Sequence, residues 1–251
     1  MPRTSLRRRL LACLATAAGL ATLHPLTADA ASFSTVRWEP FNTPAAAGQV
    51  DRVYAGSVSS YNFGNYSPAQ ESVHDGVLDI TLAGGKGAGL VLGPPESRWG
   101  RTYGRFSVRF KAVGASGYGT AMMLWPSDRA GCPGGCWSDG EIDFPEGDLG
   151  GRMWVHHHPL NCVYGGDKSH PDCNSADSRH TDVTFTSYHQ VTTEWTPTSV
   201  KYFIDSKLVH QVTHDVPTRD HRMTLQFGPE TANPQAGHVL IDSFLVQAYR
   251  A

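Results

Sequence analysis

The sequence has little with which to hold nucleic acid or to cross a bilayer. Lys and Arg number 21 against 23 Asp and Glu, a formal charge of −2 over 251 residues. No stretch gathers the bases into a stripe that could track a phosphate backbone, which excludes nucleic acid as a partner. After residue 30 no apolar run approaches the roughly 20 residues that a membrane-spanning helix takes, so no membrane partner is expected. No linker, repeat or low-complexity stretch divides residues 31–251, and one domain is expected there. A sustained helical period is missing as well. With 26 Gly and 16 Pro, the chain is punctuated too often for long helices.

The first 30 residues read as a secretory leader rather than as fold. Arg3, Arg7, Arg8 and Arg9 form a basic start, and an uncharged run rich in Leu and Ala follows from Leu10 to about Leu23. Ala28-Asp29-Ala30 offers small residues for cleavage. The expected product is a secreted monomer that begins near Ala31. The leader holds four Arg and one Asp, which leaves the remainder near −5. An acidic polymer would want a basic groove, so a neutral or weakly charged one is favoured. Removing Cys13 leaves Cys132, Cys136, Cys162 and Cys173. An even count in an exported chain points to disulfides, and the C-x3-C and C-x10-C spacings suit zinc poorly. Of three connectivities, pairing of neighbours is expected.

What the chain does contain is alternation. Phe106, Val108, Phe110 and Ala112 point one way, while Arg105, Ser107, Arg109 and Lys111 point the other, as in a half-buried antiparallel strand. Asp75-Gly76 marks a turn into a strand at 77–82. Residues 200–205 and 208–212 read as a hairpin, and 239–249 as a last strand. Many short strands with close turns predict an all-β, two-sheet antiparallel sandwich. If one sheet curves, its outer face becomes a concave cleft fit for an extended polymer.

Three carboxylates crowd into Gly140-Glu141-Ile142-Asp143-Phe144-Pro145-Glu146. On a strand Glu141 and Asp143 share a face, with Ile142 and Phe144 behind them. Glu146 has the wrong parity. A β-bulge after Asp143 would restore it, and Pro145 suits a bulge because it cannot donate to the ladder. Like charges on one face repel and push their pKa values apart, which acid/base chemistry needs. A retaining glycosidase uses two such carboxyls roughly 5–5.5 Å apart.

This run resembles the E-x-D-x-x-E signature of glycoside hydrolase family 16. Asp75-Gly76-Val77-Leu78, Tyr103-Gly104-Arg105-Phe106, Tyr188-His189, Glu194-Trp195-Thr196-Pro197 and Ile241-Asp242-Ser243-Phe244 resemble further family segments, in order. The resemblance implies a β-jelly-roll with a substrate cleft and a retaining mechanism. It implies Glu141 as nucleophile, Glu146 as acid/base, and Asp143 hydrogen-bonded to Glu141. The x-x spacing resembles the bulged, laminarinase-like branch. The implied substrate is a β-1,3- or β-1,3-1,4-glucan. No cofactor is required, though a structural calcium at Asp242 is implied by some members.

Candidates for substrate contact surround the triplet. Trp154 and His156 share a strand face, and His156 matches a family histidine near the acid/base; His158 ranks lower. Adjacent histidines alternate faces, so the triple His predicts no metal site. Met123 stands where the family resemblance implies a Trp, and Trp125 follows two residues later on the same face. Trp137 precedes the triplet, whereas Trp195 reads as core. Arg105 and Arg109 could meet sugar hydroxyls. Tyr61, Asn62, Tyr66 and Gln70 form an aromatic, polar loop, and Gln226 lies in a later strand. A transglycosylase would share these residues. A non-catalytic lectin-like jelly roll would not need the triplet, and a lyase would want a basic cleft.

Overall fold

The computed structural model describes residues 32–43, 50–51, 63–92, 100–133, 135–162 and 177–250. All of them belong to the contact unit Ala31–Ala251. Tyr61, Asn62, Cys173 and the leader lie outside the described residues.

The alternation in the sequence becomes two sheets of eight strands each, among the described residues. The strands are β1 (Ser32–Glu39), β2 (Val50–Asp51), β3 (Asn65–Tyr66), β4 (Glu71–His74), β5 (Val77–Leu82), β6 (Lys86–Leu92), β7 (Gly104–Gly114) and β8 (Tyr118–Pro126). They continue as β9 (Glu141–Asp148), β10 (Arg152–His158), β11 (Asp177–Thr184), β12 (His189–Thr196), β13 (Ser199–Ile204), β14 (Lys207–Val212), β15 (His221–Pro229) and β16 (Gly237–Arg250). One sheet runs β14-β13-β12-β7-β16-β5-β4, with β1 also on β16. The other runs β11-β10-β9-β8-β15-β6-β2, with β3 on β6. Pairing is antiparallel except between β3 and β6, which is parallel. The helical content among described residues is short 3-10 turns, such as Pro68–Gln70 and Trp137–Asp139.

The expected turns form for the expected reason. Asp75 and Gly76 both adopt positive φ, at 49° and 76°, and so do Asp205 and Ser206, at 49° and 67°. Two successive left-handed residues match the twist of the flanking strands in a tight hairpin. Phe106, Val108, Phe110 and Ala112 are buried, as alternation requires. They meet Met122, Leu124, Ile142, Phe144, Met153, Val155, Leu225 and Phe227 from the other sheet in one core cluster. The last strand has a slip. Val239 and Ile241 are buried, then Phe244, three positions on. The register shifts between Ile241 and Ser243 against β7. A bulge at Asp242 thus returns Phe244 to the core, which explains a strand that reads as apolar on both faces.

Cys132 and Cys136 form a disulfide, as expected. Cys162 is also disulfide-bonded, and its expected partner Cys173 lies outside the described residues. Trp195 is fully buried and donates its indole N–H to the Pro217 carbonyl at 3.0 Å. Its ring packs edge-on against Tyr103 and His221, at 5.1 and 5.0 Å. Trp195→Ala should cost about 3–5 kcal/mol, read as a lower urea midpoint. A loss under about 1 kcal/mol would remove Trp195 from the core's main supports.

Candidate active site

The sheet face turned away from the core is built by pairing across strands. In β9, Ile142 and Phe144 enter the core cluster. Glu141 and Asp143 therefore face the other way. Across the β9–β10 ladder His158 pairs with Glu141 and His156 with Asp143, and then Trp154 pairs with Glu146. Two residues advance on β10 while three advance on β9. The β8 side slips equally: Met123 pairs with Asp143 and Ala121 with Glu146. This is a bulge at Phe144–Pro145, and it brings Glu146 onto the face of Glu141 and Asp143, as the parity argument requires.

Transverse rows extend this face. One runs His156–Asp143–Met123–Thr224, and the next His180–Trp154–Glu146–Ala121–Gln226. Aromatic rings edge it. Trp125 lies 6.1 Å from Trp137, Trp137 4.7 Å from His158, and Trp154 5.6 Å from His156 and 3.4 Å from His180, between ring centres. Trp125, Trp137 and Trp154 are each half-buried, which leaves part of each ring for a ligand. The disulfide loop Cys132–Cys136 packs on this edge. A Cβ on Gly135 would run into the Trp125 indole and the Pro126 carbonyl, so that close approach needs glycine.

Electrostatics at the triplet follow from burial. Glu141 and Asp143 are 6% and 3% exposed, and Glu146 is half-buried. Burial pushes Glu141 well above the ordinary carboxyl range, and the Asp143 charge adds to this. Asp143 is also pushed well up, by burial and then by Glu146. Glu146 is raised by burial, while His158 opposes and Glu230 adds to the rise. Three such groups cannot all be ionised together, so the cluster retains protons that the chemistry can use.

His158 has a larger place than its sequence rank. Its Nε2 lies 3.0 Å from Asp143 Oδ2, and it lowers the pKa of both Glu141 and Glu146. Donor atoms of Glu141, Asp143 and His158 all lie within 4.8 Å of one another. The carboxylate neighbours of His158 come from the adjacent strand, which spacing along the chain could not reveal. Asp143 shares a side-chain hydrogen bond with Glu141 and also makes a close contact with His158. His156 Nδ1 is 2.7 Å from Ser178 Oγ, and its Nε2 is 3.6 Å from Glu146 Oε2. Burial, then His158 and His180, lowers the His156 pKa to about 4, so it is neutral near neutral pH. With its proton on Nδ1, Nε2 presents a lone pair toward Glu146. His157 turns into the core, between Tyr202 Oη at 2.9 Å and the Asp215 carbonyl at 3.0 Å.

Other candidates fall elsewhere. Arg105 is a correction: it lies on the opposite sheet, where it pairs with Glu194 at 2.6 Å and stacks on Phe33 at 4.2 Å. The apolar side of β7 fills the core, which sends its polar side to the far surface of the molecule. Arg109 lies there too, 3.0 Å from Asp242 Oδ1, and Ser243 Oγ donates to Asp242 Oδ2 at 3.0 Å. Among the described residues the Asp242 carboxylate thus contacts a guanidinium and a hydroxyl. Gln226 does reach the open face, but Tyr66 Oη donates to its Oε1 at 3.1 Å. Gln70 is used structurally, donating to the Thr81 carbonyl at 2.6 Å.

The model of glycosyl hydrolases family 16 matches residues 60–236. The chain belongs to that family. It is a glycoside hydrolase, and its jelly-roll sandwich is the fold of its structural neighbours. The laminarinase from Rhodothermus marinus is 17% identical over 88% of this chain and 99% of its own, with a TM-score of 0.67. The endo-β-1,3-glucanase from Pyrococcus furiosus is 15% identical over 87% and 95%, at 0.67. The Bacillus licheniformis β-glucanase is 16% identical over 86% and 99%, at 0.64. At these identities the likeness is one of fold. Comparison with curated proteins gives no match.

Two predictions follow from the charges on this hydrolase. His158→Gln removes a group that favours ionised Glu141 and ionised Glu146, so both limbs of its pH–rate profile should move to higher pH, with turnover about 10–100-fold lower. Unmoved limbs would reduce His158 to packing. The folded-state pKa of Asp143 is raised, so its burial opposes folding increasingly as pH rises through that range. Asp143→Asn should therefore gain stability over wild type as pH rises, with the gain vanishing in acid. Thermal unfolding across pH reads this directly.

Proposed function

We propose that this glycoside hydrolase is secreted, acts within the chain of a β-1,3- or mixed β-1,3-1,4-glucan, and retains anomeric configuration. The observation that carries the proposal is the bulge in β9, which gives one face Glu141, Asp143 and Glu146. The leader-like start supports secretion. The fold similarity to proteins named laminarinase, endo-β-1,3-glucanase and β-glucanase supports the substrate. An open face with tryptophans along its edge suits a polymer of flat sugar rings.

In this reading the Glu141 carboxylate attacks the anomeric carbon while the Glu146 acid protonates the departing glycosidic oxygen. The glycosidic bond breaks and a glycosyl ester forms on Glu141. Glu146, now ionised, takes a proton from water; the hydroxyl adds to the anomeric carbon, and Glu141 leaves as carboxylate. Two inversions give net retention. A proton held by Asp143 leaves Glu141 ionised for attack. A sugar seated over half-buried Glu146 excludes water and raises that group further, which favours its acid form. Neutral His156, with Nε2 3.6 Å from the Glu146 carboxyl, adds no positive charge that would oppose its acid form.

Glu141→Gln and Glu146→Gln should each lower turnover on laminarin or mixed-linkage glucan by at least about 10³-fold, with circular dichroism unchanged. Azide should restore Glu141→Ala and leave Asp143→Ala unrestored, since only the former opens space at the anomeric carbon. Proton NMR of the first products should find the β anomer. An α product, or equal azide rescue of both variants, would sink the assigned mechanism.

A further inference from the structure

Beyond Glu146 the open face carries two more carboxylates. Asp148 ends β9 and pairs with Gly119, two residues along β8 from the Ala121 that faces Glu146. On β15, Gln226 pairs with Ala121 and Gly228 with Gly119. Alternation continues to Glu230, so its side chain rises on this same face. A Cβ on Gly119 would fall inside the Glu230 carboxyl group. The glycine leaves the space in which that carboxyl lies. Asp148 is fully engaged, accepting from Gly117 N at 2.9 Å and Gly150 N at 2.6 Å. Among the described residues, no Lys, Arg or His comes within ion-pair distance of the Glu230 or Asp148 carboxylate. The histidines of the face stand on β10 and β11, across Glu146 from this end.

We propose that Glu230 is a specificity-determining residue: its carboxylate, laid over Gly119 at the Glu146 end of the face, admits a neutral glycan and repels one that carries sulfate or carboxylate groups. The proposal rests on the reading of this face as the glycan site. A half-buried charge without a cation repels another anion more strongly than a solvated one, because less water screens it. Among the described residues, the charged groups facing Glu230 are Glu146 and Asp148 on β9, while β8 contributes Gly119 and Ala121 and β15 contributes Gln226, all uncharged. Burial and Asp148 raise the pKa of Glu230, and Glu230 in turn raises that of Glu146. The same carboxylate therefore helps Glu146 to keep its proton.

The test uses wild type and Glu230→Gln on two matched pairs of polymers, laminarin with carboxymethyl-laminarin and agarose with κ-carrageenan. At low salt wild type should prefer the neutral member of the pair it cuts, and Glu230→Gln should narrow that preference about five-fold. About 0.5 M NaCl should narrow the wild-type preference in the same direction. Glu230→Gln should also move the alkaline limb of kcat/KM to lower pH, because Glu146 loses a like-charged neighbour; loss of a purely structural contact would lower the profile without moving it. Wild-type preference for the anionic polymer, or a Glu230→Gln variant whose ratio and limb both stay put, would overturn the proposal. Cleavage of the galactan pair alone would sink the glucan reading and leave Glu230 to be judged on the galactan ratio. If no polymer is cut, retardation in gels containing the same polymers gives the ratio, and equal retardation by neutral and anionic members would overturn the proposal.

Discussion

The gathering of three carboxylates on one face depends on one extra residue in β9. Without the bulge at Phe144–Pro145, strand alternation would turn Glu146 into a core of Ile142, Phe144, Met153 and Val155. Both neighbouring strands register the slip at the same place, so it is held from two sides. A single flanking strand could relax the ladder; two cannot without breaking pairing on both edges. The core residues on either side of the bulge keep their places in the cluster.

The bulge brings an electrostatic cost that the rest of the face manages. Three carboxyls, two of them almost wholly buried, stand on one strand. Burial favours their neutral forms, and mutual repulsion adds to this. His158 is the cation-capable neighbour that opposes the trend, and its reach to Asp143 ties β10 to the middle of the triplet. His156 is held neutral by the same burial. Two histidines two residues apart thus differ in effect: one moderates the carboxyls' charge, the other offers a neutral partner to Glu146. Glu230 pulls in the opposite sense from the far end. The gradient along the face runs from imidazoles and indoles to a carboxylate with no cationic partner among the described residues.

Several candidates could be sorted only by knowing which sheet a strand joins. Arg105 and Trp154 both alternate with apolar residues, and nothing local separates them. β7 lies in the sheet whose outer surface is remote from the triplet, while β10 lies beside β9. Asp242 illustrates the same limit: its partner Arg109 is over a hundred residues away in sequence and beside it in the ladder. The pairing of His158 with Asp143 and the approach of Glu230 to Gly119 are likewise contacts between different strands.

By itself the sequence determined the strand class, the hairpin turns at Asp75-Gly76 and Asp205-Ser206, the buried face of β7, and the need for a bulge between Asp143 and Glu146. These are local properties. They follow from side-chain alternation, from residues that tolerate left-handed backbone, and from a proline that cannot join a ladder. Tertiary structure alone decided which strands became neighbours, and so which side chains meet across a face. It chose His158 for Asp143, removed Arg105 to the far surface, and laid Glu230 over a glycine. The reason is physical: strand order arises from burying two apolar faces against each other, an energy summed over the whole core, and no short segment carries it.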